Sequence, residues 1–209
     1  MLLRFNNSQK YLVYDYETEN VRLTELNRPW QVSYKLATLN ETLAEKTSFI
    51  RWDDLNISFG AAKHTGFDRY KYESSCVDKK TVFDDFNQYY SDPSTIILFF
   101  NGINFDVHIH NIYRSELGLP KDFSYLDRCI DVNGLFKLYK LGITKIDREN
   151  WFSDFFKMSN YVKRGFKSNL EFAAQDLGIP VDSSRFHDAG YDVEITYRVF
   201  KDLIWKMEI

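Results

Sequence analysis

Tyr11 to Thr18 reads YLVYDYET, an apolar and aromatic run that ends by delivering two carboxylates two residues apart. Leu12 and Val13 among tyrosines have the composition of a buried strand. Strand side chains alternate, so Asp15 and Glu17 fall on one face. Two acids that close raise each other's pKa and cost stability. Either both point into solvent at the strand end, or the chain keeps them to hold a cation or to perform acid/base chemistry.

The 209 residues suffice for one domain with a proper core and are too few for two comfortable ones. No linker, repeat or low-complexity tract marks a boundary, so a single domain over residues 1–209 is expected. Aromatic residues make up 17%, pointing to a filled interior, and the 27% charged fraction argues against disorder and membrane residence. No apolar run approaches the ~18 residues of a membrane span, and the opening MLLRFNNSQK lacks the apolar core of a signal peptide. A cytoplasmic location without a membrane partner is expected. Cys76 and Cys129 are too few for a disulfide framework and have no neighbour at zinc spacing, so both read as buried thiols. A net charge of −3 does not advertise a nucleic-acid partner, which would have to be met locally.

After the first strand, Trp30–Ala37 and Ala44–Trp52 read as an antiparallel hairpin around the polar turn Thr38–Thr42. Val82, Phe83, Phe86 and Tyr90 give Lys79–Tyr90 helical spacing; Asp92 and Pro93 stop it, and Thr95–Phe100 begins a fully apolar strand expected to be central. Phe105, Ile109 and Ile112 then fall at helical spacing, and Asp127–Val132 reads as a short strand. Asn169–Leu177 reads as a helix closed by Gly178, and a long helix runs from about Asp188 to Trp205. Three strands followed by alternating helices and strands predict an α/β fold, a mixed sheet with helices on both faces.

Two further stretches carry chemistry. In Asn101–Asp106, NGINFD, a strand runs into a Gly-bearing turn and a helix with Asp106 in its first turn. That position returns an acid to the carboxyl ends of the strands, where open α/β sheets keep their functional crevice, although an Asp there also simply complements the helix dipole. In His187–Asp192, HDAGYD, a His and an Asp stand five residues apart, roughly 7 to 8 Å along a helix axis. This suits a base and a metal ligand flanking one phosphate better than two ligands of one ion; a surface histidine beside a solvated acid is the plainer alternative.

Taken in order, DYET at 15–18, NFD at 104–106 and HDAGYD at 187–192 resemble the three exonuclease motifs of the DEDDh (DnaQ-like) 3′-to-5′ exonucleases, across nearly the whole chain. The resemblance implies a ribonuclease H-like fold and two divalent cations, Mg²⁺ or Mn²⁺. The matched residues are Asp15 and Glu17, then Asp106, then His187 and Asp192. It further implies that Asp15 bridges both ions, that Glu17 and Asp192 complete the first ion's shell, that Asp106 acts partly through water, and that His187 is the general base. Oxygen ligands suit such ions, and an imidazole pKa of ~6.5 suits a base at neutral pH. HTGF at 64–67 looks like the segment that contacts terminal nucleotides, which makes Thr18, His64, Thr65, Gly66, Phe67 and Asn101 candidate contacts, and DRCID at 127–131 resembles the strand after the second motif. Asn101 and Gly102 stand where relatives often carry His-Asn, and Glu19 stands where a neutral residue is more usual. His108 and His110 read as packing or surface residues.

Residues 137–167 carry eight Lys or Arg against three Asp or Glu, a net +5 in a chain of net −3, interleaved with Trp151, Phe152, Phe155, Phe156, Tyr161 and Phe166. This insertion or flap either tracks a phosphate backbone through cations such as Lys163, Arg164 and Lys167, docks a partner, or completes the core with its aromatics. The function expected is a metal-dependent exonuclease that releases nucleoside 5′-monophosphates from single-stranded or frayed 3′ ends, with DNA favoured over RNA. The alternatives are an exoribonuclease of the same family and a binding module that has lost catalysis. A polymerase or other replication protein is a conceivable partner.

Overall fold

The apolar run at the N-terminal end forms β1 (Lys10–Thr18). In this computed structural model, which describes residues 2–23 and 27–209, β1 pairs antiparallel with β2 (Pro29–Ala37), and β2 with β3 (Thr42–Arg51). A two-residue β4 (Val77–Asp78) lies parallel to β3, β5 (Thr95–Phe99) parallel to β1, and β6 (Cys129–Asp131) parallel to β5. The order β4-β3-β2-β1-β5-β6 is the mixed sheet that the sequence predicts. β5 is buried throughout and flanked on both sides, which accounts for its apolar run, although β2 and β1 occupy the middle.

Eight α-helices surround the sheet among the described residues: α1 (Phe59–Thr65), α2 (Arg69–Ser75), α3 (Lys79–Tyr90), α4 (Asp106–Glu116), α5 (Val132–Lys140), α6 (Trp151–Ser159), α7 (Leu170–Asp176) and α8 (Ala189–Lys206). The alternation of β1 sorts them onto two faces. Tyr11 packs its ring 4.9 Å from Phe200 of α8, whereas Tyr14 and Tyr16 point the other way, against Phe86 of α3 and Tyr113 of α4. Asp15 and Glu17 have the parity of Tyr11, so their face is the one that α8 covers.

Four helices escape the sequence reading for identifiable reasons. α1 and α2 have seven residues each, too few for a period, and are set by the N-caps Ser58 and Asp68, whose side chains accept from Ala61 N and Lys71 N. The strand expected over 127–132 is confined to β6, because Leu126–Arg128 form a 3₁₀ turn and Val132 already begins α5. α6 lies within the basic segment. Cys129 is buried as expected, but Cys76 is only half-buried. It sits where the chain leaves α2, and the Arg51 guanidinium donates to its sulfur and carbonyl oxygen. No helix of the described residues is long and apolar enough to cross a membrane.

Candidate active site

β1 and β5 part company at their carboxyl ends. Their pairing runs from Lys10–Thr95 to Val13–Leu98, and beyond it β1 continues against β2 alone, with a bulge between Glu17 and Thr18. A crevice of ≈ 240 Å³ opens there, at the junction between an antiparallel and a parallel neighbour. Asp15 and Glu17 enter it from β1, Asp106 from the first turn of α4, and Asp192 from the first turn of α8, with His187 beside them. All five residues singled out from the three motifs therefore line one crevice.

Few groups neutralise the acids. Asp106 Oδ1 accepts from Tyr16 N at 3.2 Å, which ties α4 to β1. Asp192 Oδ2 accepts from His187 N at 3.2 Å, while its buried Oδ1 has no partner. Burial pushes the Asp106 and Asp192 carboxyls up to about 7. Burial, and then the neighbouring carboxylates, raises Asp15 and Glu17 well above the ordinary range. Hard anionic oxygens, one of them buried without a donor, are the ligand set that Mg²⁺ or Mn²⁺ takes, so the residues present fit such ions. Among the described residues, no three His, Cys, Asp or Glu side chains already converge as a coordination sphere.

His187 is not in a helix, so the axial spacing anticipated for His187 and Asp192 does not apply. Asp188 is the N-cap of α8, and His187 precedes it in the left-handed region, at φ 72°. Its ring lies 3.8 Å from that of His64, centroid to centroid. Burial, and then His64, lowers the His187 pKa. His108 and His110 divide as packing and surface residues: His108 is exposed, while His110 is fully buried in an aromatic cluster, with Nδ1 3.0 Å from Tyr16 Oη and its pKa pushed down to about 3 by burial.

Of the candidate nucleotide contacts, Thr18, His64, Thr65 and Asn101 line the crevice together with Asn20, Phe100 and Phe105, which sequence reasoning did not single out. The two phenylalanines flank the NGIN turn and read in sequence as plain apolar residues. Gly66 instead closes α1 at φ 66°, and Phe67 packs 4.9 Å from Trp30 and 5.6 Å from Tyr72, centroid to centroid. Lys163, Arg164 and Lys167 are exposed and outside the crevice lining. Glu19 turns away as well, taking three bonds from Arg28 and one from Asn56 N.

A further buried acid shapes the site without entering it. Asp131, at the end of β6, accepts from Asn101 N (2.9 Å), Ile103 N (3.3 Å), Asn133 N (3.0 Å) and Gly134 N (3.2 Å). One carboxylate thus caps α5 and holds the turn that aims Asp106. Its pKa still rises to about 6 because it is buried. Asn101 stands at φ 64°, and a Cβ on Gly102 would land 2.4 Å from the Phe99 ring, so this turn accepts only glycine at 102.

No protein-family model matches the chain, and no curated protein does. Solved structures do match. Exonuclease I aligns with a TM-score of 0.74 at 19% identity, covering 95% of this chain and 41% of that one. The fold is ribonuclease H-like. E. coli exonuclease I in complex with a dA16 oligonucleotide aligns at 0.72 and 18% identity over 95% and 41% of the two chains. The zinc-ion-bound form of the E. coli ExoI–ssDNA complex aligns at 0.72 and 19% over 93% and 40%. The chain thus spans about two-fifths of the length of the proteins whose ribonuclease H-like fold it shares.

Proposed function

We propose that this chain is a divalent-metal-dependent 3′-to-5′ exonuclease acting on single-stranded or frayed DNA ends, with nucleoside 5′-monophosphates as products. The observation that carries this reading is the meeting of Asp15, Glu17, Asp106 and Asp192 in one crevice with His187 beside them. The likeness in fold to exonuclease I bound to an oligonucleotide supports the substrate class. Asp15, Glu17, Asp106 and Asp192 would hold two Mg²⁺ or Mn²⁺ ions, which when bound supply a hydroxide at neutral pH and relief of charge on the leaving oxygen.

The chain's own residues do the rest. The lowered pKa keeps the His187 imidazole neutral at working pH, and it takes the proton from the attacking water. Its backbone N–H, through Asp192 Oδ2, fixes that carboxylate relative to the ring. Asn101, Thr18 and Asn20 offer hydrogen bonds to the terminal nucleotide, and Phe100 and Phe105 offer apolar faces to its base or sugar.

Incubating 5′-labelled DNA and matched RNA single strands with Mg²⁺, with Mn²⁺ and with EDTA tests the reading. Stepwise shortening of DNA from its 3′ end, stopped by EDTA, is expected. Shortening of RNA alone would move the assignment to an exoribonuclease. Binding without cleavage in either metal would leave an inactive binding module.

A further inference from the structure

α6 turns its aromatics in two directions. Trp151 and Phe155 are buried, and Phe155 lies 3.1 Å from where a Cβ on Gly134 of α5 would sit. Phe152 and Phe156, one turn apart, point outward at 37% and 50% exposure, with ring centroids 5.9 Å apart and planes inclined by 24°. Intramolecular packing leaves this pair partly bare. The helix that carries it also meets the turn that aims Asp106. Ser159 Oγ, at the end of α6, is 3.4 Å from Asn104 Oδ1, in the turn that leads to Asp106. From Ser159, Phe156 and Phe152 lie about 5 and 10 Å back along the helix, an outward progression from the site.

Beyond α6 the chain folds into a loop. Lys137 Nζ donates to Met158 O (2.8 Å) and Tyr161 O (3.3 Å), and Tyr161 packs edge-on against Phe166 at 5.6 Å. Lys163, Arg164 and Lys167 stand exposed on this loop. Within 137–167, the ion pairs among the described residues are those of Lys140 with Asp176 and Lys157 with Asp154, so the three loop cations are unpaired. Near-parallel rings followed in the chain by a loop of unpaired cations match a polyanion that carries flat bases, and suit an apolar protein surface less well.

We infer that the outer face of α6 and the 160–169 loop bind the single strand upstream of the crevice, with Phe152 and Phe156 stacking on successive bases and Lys163, Arg164 and Lys167 meeting phosphates. The inference deepens the nuclease reading and rests on it for the polarity of the strand, 3′ end in the crevice and 5′ portion along α6. Binding of fluorescent dT20 in EDTA, where metal-dependent cleavage is stopped, tests the track. Phe152→Ala/Phe156→Ala should weaken binding by about tenfold or more, the scale of lost base stacking. Leu at both positions should restore little, since it keeps apolar area without a π face. Lys163→Ala/Arg164→Ala/Lys167→Ala should lower the slope of log affinity against log salt by about 2. Both sets should melt like the parent. Parental affinity and salt slope in the variants overturn the track, and full rescue by Leu overturns stacking in favour of plain apolar contact with the strand. Loss of binding in the variants of a parent that cleaves nothing would preserve the track and sink the nuclease reading instead.

Discussion

Two sets of buried acids lie within one molecule and obey opposite rules. Asp131 collects four backbone N–H groups and Glu19 collects Arg28 and a backbone N–H, so each is satisfied inside the protein. Asp15, Glu17, Asp106 and Asp192 crowd one another with far fewer donors, a single backbone N–H each to Asp106 and Asp192, and Asp192 Oδ1 is buried with no partner. Burial by itself therefore does not separate the two sets. The supply of donors does, because a buried carboxylate with few of them is strained until a cation arrives.

The sharpest way to break the distinction is Asp15→Asn. Cleavage should be abolished while the metal-free protein melts higher, since one repelling charge goes and the volume is nearly kept. Conversely, Mn²⁺ at ~100 times its dissociation constant should stabilise the parent by ~2.7 kcal/mol per independent site. Melting both proteins in EDTA and in Mn²⁺ decides the matter: a parent unmoved by metal, or a variant that still cleaves, erases the difference between the two sets.

His187→Ala should lower turnover by ~10² to 10⁴, the usual scale for a lost general base, with metal-induced stabilisation intact. His108→Ala, on the exposed side of α4, should leave turnover near that of the parent. Full activity in the first variant would remove His187 from the mechanism.

Asp131→Ala acts with the opposite sign to Asp15→Asn. It should destabilise by about 3 kcal/mol or more, because each buried donor left without its acceptor costs about 1–3 kcal/mol. Urea denaturation in EDTA reads this directly, and a variant as stable as its parent would dissolve the contrast. Asp131→Asn, which keeps one acceptor oxygen, should fall between the two.

The smallest effect is on pH. Asp106 and Asp192 near 7, and Asp131 near 6, all stand above the ordinary carboxylate value of 3.8. The folded state therefore holds protons that the unfolded state has released. The stabilisation is complete below about pH 4 and disappears as pH rises through 7. Buried His110, held neutral down to about 3, opposes this slope below 6.5, but it is one group against several. Metal-free stability should decline from pH 5 to 8, and Asp106→Asn should flatten the decline; a rising curve would contradict the raised carboxyls.

Much of this arrangement is legible in the sequence. The apolar and aromatic run at Tyr11–Thr18 reveals the strand, and strand alternation the shared face of Asp15 and Glu17; the apolar Thr95–Phe99 announces an interior strand. Segments governed by capping are not legible: α1 and α2 owe their existence to Ser58 and Asp68, and α5 owes its start to Asp131. Nor does composition tell a donor-bound acid from a bare one. Glu19 looks as available as Glu17 until Arg28, nine residues away in the chain, is seen to fold onto it. The basic segment divides side chain by side chain, with Trp151 and Phe155 in the core and Phe152 and Phe156 outside it.

Among the described residues, the two non-glycine residues in left-handed backbone, Asn101 and His187, both line the crevice. Asn and His tolerate that region better than most residues, yet glycine enters it more easily still. Glycine at either position would relax the backbone while deleting a side chain that lines the crevice. Selection for thermal robustness alone would thus drift toward glycine at 101 and 187, and a stabilised lineage of this protein would be expected to lose the proposed chemistry first at these two residues.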